Sequence, residues 1–213
     1  MPGSVAERGA FIVFEGCDKS GKSTQCSQLV QRLNDAGVKA ELLKFPDRTT
    51  TIGKMINSYL QQSCQIEDHA IHLLFTANRW EAMPRMTELL QSGVTLVVDR
   101  YSFSGVAYSA AKPDFSVEWC QQPERGLLRP DHVFYLTLSP EVAAQRGDYG
   151  TERYEKKEIQ AKAAANFDLL KDETWTVINA DKTKEDLSTE IFEHAMKVVD
   201  SSKQAELAQL WLK

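Results

Sequence analysis

Residues 11–23 read FIVFEGCDKSGKS and form the most informative stretch of the chain. The continuous apolar run Phe11–Phe14 predicts a strand that is buried on both faces. The segment Gly16–Ser23 that follows fits the pattern G-x-x-x-x-G-K-[ST] and leads into a helical pattern. A strand, a glycine-rich loop and a helix in this order predict the first unit of a parallel α/β sheet.

The same loop predicts a binding site for a nucleoside triphosphate. Backbone N–H groups of a glycine-rich loop, together with the N-terminus of the next helix, attract phosphate oxygens. We expect the Lys22 ammonium to reach the β- and γ-phosphates and the Ser23 hydroxyl to ligate Mg²⁺. The residues assigned to ATP in this loop are Gly16, Lys19, Ser20, Gly21, Lys22, Ser23 and Thr24.

Four more apolar runs predict the remaining strands, at residues 40–45, 94–98, 132–138 and 175–180. The segments between them are too long for hairpins and carry helical patterns. Strands that alternate with helices predict a parallel α/β sheet with right-handed crossovers. We expect five strands, flanked by helices, in a single domain of residues 1–213.

Two helices show apolar faces, one at Leu29, Val30 and Leu33 and the other at Ala70, Leu73, Leu74 and Ala77. Gly37 is typical of the residue that follows a helix C-terminus. Ser139-Pro140 is typical of a helix start, with serine as the N-cap and proline in the first turn.

Composition and charge limit the classes of protein that fit. The chain has 213 residues, 42% of them hydrophobic, which excludes a disordered chain. Its net charge of −5 argues against a globally basic nucleic-acid binder. No apolar run approaches the ~20 residues that span a bilayer, and residues 1–9 lack the apolar core of a secretory signal. We expect a soluble cytoplasmic protein, with a nuclear share left open, that binds neither membrane nor nucleic acid.

The cysteines and histidines predict no metal or disulfide framework. The four cysteines contain no Cys-x-x-Cys spacing, so we expect reduced thiols. His69 and His72 lie three residues apart without a third ligand pattern, so we interpret them as ordinary helix residues.

Two motifs narrow the class of nucleotide-binding protein. A GTPase would need Asn-Lys-x-Asp, which the chain lacks, and its Asp-x-x-Gly, Asp18–Gly21, lies inside the phosphate loop itself. A small phosphotransferase remains. Asp99-Arg100 ends the third predicted strand, where α/β sheets bind ligands. We expect Asp99 to hold Mg²⁺ through water and Arg100 to bridge donor and acceptor phosphates.

Three further motifs resemble the eukaryotic-type thymidylate kinase family. They are Phe45-Pro46-Asp47-Arg48, the segment 74–80 (LFTANRW) and the segment 99–105 (DRYSFSG). The similarity runs from about Arg8 to Lys182, and a weaker similarity is found in the final four residues. The family phosphorylates dTMP to dTDP with ATP and Mg²⁺ in dTTP biosynthesis. The resemblance implies a P-loop kinase fold with a lid at about 146–158, dTMP and ATP as ligands, and a homodimer.

The resemblance also implies roles for individual residues at the dTMP site. Phe75 resembles the aromatic residue that stacks on thymine, and Arg79 the residue that donates to a thymine carbonyl. Arg48 resembles the arginine that holds the dTMP phosphate. Asp18 resembles the carboxylate that accepts from the 3′-hydroxyl, and Tyr154 the ring that favours deoxyribose. The same pocket would include Phe45, Arg100, Ser104, Gly105, Tyr108 and Glu152, whereas Asn78 is interpreted as structural.

The remaining implied roles concern the lid and the donor nucleotide. Arg146 and Arg153 resemble lid arginines that fold over the phosphates. Lys182 resembles a residue of the loop that contacts adenine. The residues expected to act in catalysis are Asp18, Lys19, Lys22, Arg100, Arg146 and Arg153. Lys19 departs from the family pattern, which usually has arginine there, so its catalytic role is left open.

Two alternatives remain open at this point. One is a kinase for another deoxynucleotide or for a nucleoside. A nucleoside kinase would not need Arg48 for an acceptor phosphate. The other is a non-catalytic module that binds ATP.

Overall fold

The computed structural model describes residues 7–139, 142 and 152–212. In chain order its strands are β1 (Phe11–Glu15), β2 (Ala40–Lys44), β3 (Thr95–Asp99), β4 (His132–Thr137) and β5 (Trp175–Asn179). Its α-helices are α1 (Lys22–Asp35), α2 (Thr51–Leu60), α3 (Asp68–Gln91), α4 (Ser102–Ser109), α5 (Val117–Gln121), α6 (Lys157–Leu170) and α7 (Lys184–Ser202). A short 3₁₀ helix, Gln122–Glu124, follows α5 directly. In these residues, no helix is both long and apolar enough to span a bilayer.

The five strands form one parallel sheet, as the sequence predicts, and their order in it is β2-β3-β1-β4-β5. Strand β1 is central, and Phe14 lies opposite Asp99 of β3 on one side and Phe134 of β4 on the other. This register places the carboxyl ends of β1 and β3 side by side. The loop after β1 and the residues after β3 therefore share one edge of the sheet, where α/β sheets bind ligands.

The sheet is covered on both faces, which explains the continuous apolar run of β1. All five β1 residues are fully buried. Phe11 and Val13 belong to one core cluster, while Ile12 and Phe14 belong to the other. The alternation of side chains along a strand distributes them between the two layers of helices.

Helix α1 agrees with its predicted apolar face and its predicted end. Leu29 and Leu33 are buried, and Val30 packs against the same core. Gly37 follows the helix with a φ of 84°, a left-handed conformation that glycine adopts without strain. The N-cap prediction for Ser139 also fits, because the Val142 N–H donates to the Ser139 hydroxyl at 3.3 Å. Pro140 lies outside the described residues.

The predicted apolar face of α3 is present, but it is not the side of the helix that the chain buries most. Ala70 is exposed, and 47% of Leu73 is accessible to solvent. Leu74 and Ala77 are only half-buried. The side of α3 that faces inward instead carries the polar residues His72, Thr76, Asn78 and Arg79. Polar residues can line this inner side because their side chains find partners there; His72, for example, hydrogen-bonds to Ser109 and to the Cys120 carbonyl.

Candidate active site

A cavity of about 890 Å³ opens at the carboxyl ends of β1 and β3. Most residues that the sequence assigns to ATP, Mg²⁺ or dTMP line it. They are Asp18, Lys19, Ser20, Gly21, Lys22, Ser23, Thr24, Phe45, Arg48, Phe75, Arg79, Asp99, Arg100, Ser104, Gly105, Tyr108, Glu152, Tyr154 and Lys182. Residues separated by up to about 160 positions in the chain therefore share one space.

The phosphate loop is shaped by backbone conformations that glycine adopts freely. Gly16 has a φ of 136° and Gly21 a φ of 93°. Gly16 also packs directly against the Leu136 carbonyl, where a side chain would collide. Although Gly16 does not line the cavity, its carbonyl accepts a hydrogen bond from Arg100 Nη1 at 3.2 Å. Gly16 therefore shapes the loop and supports Arg100.

Lys22 is the buried cation of the loop. Its Nζ donates to the Cys17 carbonyl at 2.7 Å and to the Ser20 hydroxyl at 3.3 Å. Burial, followed by the nearby charge of Arg100, lowers the pKa of Lys22 to about 8. A buried ammonium of this kind is stabilised by anionic phosphate oxygens in the same cavity.

Ser23 and Asp99 form an oxygen pair between α1 and β3. The Ser23 hydroxyl donates to Asp99 Oδ2 at 2.5 Å. Lys44 Nζ lies 3.6 Å from the same carboxylate oxygen, and the Asp99 side chain is only 3% exposed. The two residues predicted as Mg²⁺ ligands are thus adjacent at the base of the phosphate loop.

Arg100 and Asp18 form an ion pair in the middle of the cavity. Arg100 Nη2 donates to Asp18 Oδ1 at 2.5 Å, and Nη1 donates to the Ser104 hydroxyl at 3.0 Å. Burial raises the pKa of the Asp18 carboxyl, but Arg100 and Lys22 outweigh this effect and hold it below its usual value. Asp18 is therefore a carboxylate at neutral pH and acts as an acceptor.

The far end of the cavity combines an aromatic ring, a guanidinium group and a glycine. Phe75 is half-buried on α3, and Arg79, one turn further along, is buried. Gly105 of α4 packs against the Arg79 guanidinium so closely that a Cβ atom would collide with it. Asn78 is structural, as interpreted from sequence, because it accepts from the Asp47 N–H at 2.8 Å and so holds the segment after β2.

Three further residues that line the cavity are Arg48, Glu152 and Tyr154. Arg48 donates to both carboxylate oxygens of Glu152, at 2.9 and 3.2 Å. The Tyr154 ring lies 5.8 Å from that of Tyr108 and 6.2 Å from that of Tyr59. Two residues that the sequence assigns to dTMP thus bind each other across 104 positions of the chain.

In the structure Arg153 lies away from the cavity, so its folding over the phosphates stays a prediction. Arg153 Nε donates to the Tyr59 carbonyl at 3.0 Å, and Nη2 donates to the Cys64 carbonyl at 3.2 Å. Its guanidinium lies over the Tyr59 ring at 4.0 Å, and Arg153 does not line the cavity. These carbonyl groups, one in the last turn of α2 and one in the segment after it, hold the side chain in place. Arg146 lies outside the described residues, as does the predicted lid up to residue 151.

Sequence reasoning missed three buried polar residues that support the cavity. Glu15 accepts from the N–H groups of Tyr101 and Ser104, both at 3.0 Å. Gln160 of α6 donates to Asp18 Oδ2 at 2.7 Å and accepts from the Tyr108 hydroxyl at 3.0 Å. Glu124 binds Arg79. A polar residue directly after an apolar run was the available signal for Glu15, whereas no pattern marks the other two.

The sheet order, the phosphate loop, and the lysine and arginine side chains that line one cavity define a phosphotransferase of the P-loop nucleotide kinase class. A model of the family described as "Thymidylate kinase" matches residues 14–191. The chain therefore belongs to the thymidylate kinase family.

Individual relatives agree with this assignment over almost the whole chain. The chain is 48% identical to thymidylate kinase of Danio rerio, covering 96% of this chain and 98% of the relative. It is 49% identical to thymidylate kinase of Homo sapiens, covering 97% and 99%. Among solved structures, thymidylate kinase from Candida albicans superposes with a TM-score of 0.87 at 36% identity, covering 96% of this chain and 99% of that one.

Proposed function

We propose that this chain transfers the γ-phosphoryl group of ATP to dTMP and so produces ADP and dTDP. The observation that carries the proposal is the single cavity that joins a phosphate loop at one end to Arg48, Phe75 and Arg79 at the other. Reacting groups held in one cavity meet in the geometry that phosphoryl transfer needs. The chain thus belongs among the transferases of nucleotide biosynthesis.

At the donor end, the phosphate loop holds ATP. The N–H groups of the loop and the N-terminus of α1 bind the phosphate oxygens, and Lys22 neutralises charge on the β- and γ-phosphates. Lys182 lines the cavity and contacts adenine while its ammonium is held by Glu190 at 2.5 Å. ATP is therefore fixed along the edge of the sheet, with its γ-phosphate towards Arg100.

Ser23 and Asp99 fit a Mg²⁺ site, because oxygen ligands are those that Mg²⁺ prefers. The described residues contain no group of three or more His, Cys, Asp and Glu side chains that would form a complete metal site. A partial site of one hydroxyl and one carboxylate suits Mg²⁺, which keeps several waters and shares its coordination with substrate phosphates. The ion supplies positive charge to the transferring phosphates when bound.

At the acceptor end, Arg48 holds the dTMP phosphate and Phe75 stacks on the base. Asp18 accepts from the 3′-hydroxyl, and its ionised state keeps it an acceptor. Tyr154 and Glu152 line the same cavity, and in this proposal Tyr154 excludes a ribose 2′-hydroxyl while Glu152 contacts the sugar. Arg100 lies between the two ends and uses its guanidinium fork to bridge donor and acceptor phosphates.

The outer face of α3 supports the homodimer that the resemblance implies. Leu73 is 47% exposed and Trp80 is 39% exposed, and Ala70 and Ala77 lie on the same stripe. Apolar side chains at this spacing form a continuous stripe on one side of a helix. A second copy of the chain would cover the stripe by pairing its own α3 with this one.

A coupled assay of acceptors tests the proposed function. The purified chain is given ATP, Mg²⁺ and one of dTMP, dUMP, dCMP or thymidine, and kcat/KM is measured for each. We expect dTMP to be the best acceptor and thymidine to be the poorest, since thymidine offers Arg48 no phosphate. Preference for thymidine would indicate a nucleoside kinase, and no phosphorylation of any acceptor would indicate an ATP-binding module.

A further inference from the structure

Arg79 is held in one orientation by a buried carboxylate. Its Nε donates to Glu124 Oε2 at 2.8 Å, and its Nη2 donates to Glu124 Oε1. The Arg79 side chain is 2% exposed and the Glu124 side chain is fully buried. A two-point contact between a guanidinium group and a carboxylate fixes the plane of the guanidinium as well as its position.

Two other neighbours leave this pair little freedom. The Thr76 hydroxyl, one turn before Arg79 on α3, donates to Glu124 Oε1 at 2.6 Å. On the other side, a Cβ atom at Gly105 would lie 3.0 Å from Arg79 Cζ and 3.1 Å from Nη1. The guanidinium is therefore bounded by Glu124 along one edge and by the α4 backbone at Gly105.

The Nη1 group of the guanidinium, which Glu124 does not use, is left for a ligand. Among the described residues, Arg79 Nη1 has no hydrogen-bond partner, and Arg79 lines the cavity. Because Glu124 occupies Nε and Nη2, the orientation of that pair determines where Nη1 points. A polar group of the ligand that accepts from Nη1 must match this direction.

We propose that Glu124 is a positioning residue that acts through Arg79 and fixes the direction in which Nη1 donates to a carbonyl of the pyrimidine base. The inference rests on the proposed function, because it takes the base of dTMP as the ligand of Arg79. Glu124 does not line the cavity, so its effect on the base passes through the guanidinium.

The loop after Glu124 is itself held in place. Glu124 ends the 3₁₀ helix Gln122–Glu124, and the residues after it bind the C-terminal segment of the chain. The Gly126 N–H donates to the Leu210 carbonyl at 3.0 Å, and the Leu210 N–H donates to the Leu127 carbonyl at 2.7 Å. Leu210 is 3% exposed in the core beneath them. The carboxylate is thus presented from a fixed backbone, as positioning of a guanidinium requires.

Glu124→Gln tests the proposal, because it keeps the size of the side chain but replaces one carboxylate oxygen by an amide that donates. We expect dTMP affinity, measured by calorimetry, and kcat/KM for dTMP each to fall at least tenfold, with KM for ATP within twofold. A wild-type chain that neither binds nor phosphorylates dTMP would overturn the proposed function. A wild-type chain that does both, with Glu124→Gln equal to it, would overturn the positioning role alone.

Asp131→Asn is the matched control for stability. Asp131 forms a similar two-point pair with Arg8, at 2.6 and 2.7 Å, and does not line the cavity. We expect this variant to lower the melting temperature while leaving dTMP binding within twofold. Equal losses of dTMP affinity in both variants would show that Glu124 acts only through general stability.

A double variant separates positioning from an independent effect. If Glu124 acts through Arg79, then Arg79→Met together with Glu124→Gln lowers kcat/KM for dTMP no further than Arg79→Met alone. Losses that multiply would contradict the proposal. Should Glu124→Gln fail to fold, Thr76→Val removes the hydroxyl donor to Glu124 and leaves the ion pair. That variant is expected to raise KM for dTMP two- to fivefold with KM for ATP unchanged, and unchanged KM values for both substrates would overturn the proposal.

Discussion

At the residue scale, Lys19 and Arg153 are two cations that differ in their position relative to the cavity. Lys19 lines the cavity in the phosphate loop with a φ of 65°. Arg153 is held by the carbonyl groups of Tyr59 and Cys64, with its guanidinium over the Tyr59 ring. Charge that develops on the transferred phosphoryl group is stabilised by a nearby cation. Lys19 is therefore the better placed of the two for this role.

Comparing Lys19→Met with Arg153→Met tests this difference. We expect Lys19→Met to lower the single-turnover rate about tenfold, which is about 1.4 kcal/mol of transition-state stabilisation. Arg153→Met is expected to change the rate less than about threefold and to lower the melting temperature, because it loses two hydrogen bonds and the contact with Tyr59. Single-turnover rates are needed because product release can mask chemistry. A larger rate loss for Arg153→Met would show that this side chain moves into the cavity during the reaction.

The residues that sequence reasoning placed correctly in the cavity are those whose position follows from the backbone. Lys22 lies where the loop pattern requires it, and Asp99 lies where a buried strand ends. Arg153 could not be placed in this way, because its partners are carbonyl groups of residues distant in the chain. Glu124 was not identified from the sequence either, because its partner Arg79 is 45 positions away in the chain.

At the element scale, α3 has an inner side that serves the cavity and an outer side that is apolar. The 3.6-residue periodicity shows that a helix has an apolar face but not which neighbour covers that face. The periodicity therefore identifies Leu73 as part of an apolar face without showing that 47% of it is exposed. The central strands β1, β3 and β4 were easier to predict, because burial on both faces gives a continuous apolar run such as Phe11–Phe14.

Leu73→Glu tests the proposed dimer at the outer face of α3. A charge in the paired stripe would be buried without a partner, so we expect the variant to sediment as a monomer where the wild-type chain sediments as a dimer. Leu169→Glu is the control, because Leu169 of α6 is 73% exposed and lies on a different helix. A wild-type monomer, or a Leu73→Glu dimer, in analytical ultracentrifugation would contradict this interface.

At the scale of the whole molecule, the cavity lies at the carboxyl ends of the strands, and a histidine pair lies near the amino end of β4. The His132 ring, at the start of β4, lies 4.6 Å from the His194 ring of α7. His132 is buried, and its Nε2 has no hydrogen-bond partner among the described residues. Burial, followed by the charge of His194, lowers the pKa of His132 to about 4 from its usual 6.5.

This histidine pair predicts a loss of stability in mild acid. In the unfolded chain His132 takes up a proton near pH 6.5, whereas in the folded chain it does so only near pH 4. The free energy of unfolding should therefore fall as the pH drops from about 6.5 to about 4, by up to about 3 kcal/mol from this residue. Urea unfolding at several pH values checks this, with His132→Gln as the comparison. We expect the variant to lose less stability over that range, and equal slopes for the two proteins would contradict the assignment.

Transfer of labelled phosphate tests the central claim most directly. The wild-type chain is mixed in excess with ATP labelled at the γ-phosphate, Mg²⁺ and dTMP, and the label is followed in a single turnover. The account predicts that the label leaves ATP and appears in dTDP at one mole per mole of ADP formed, and that Lys22→Ala slows this transfer at least a hundredfold. Label that accumulates as inorganic phosphate, or that stays in ATP while dTMP is bound, would contradict it.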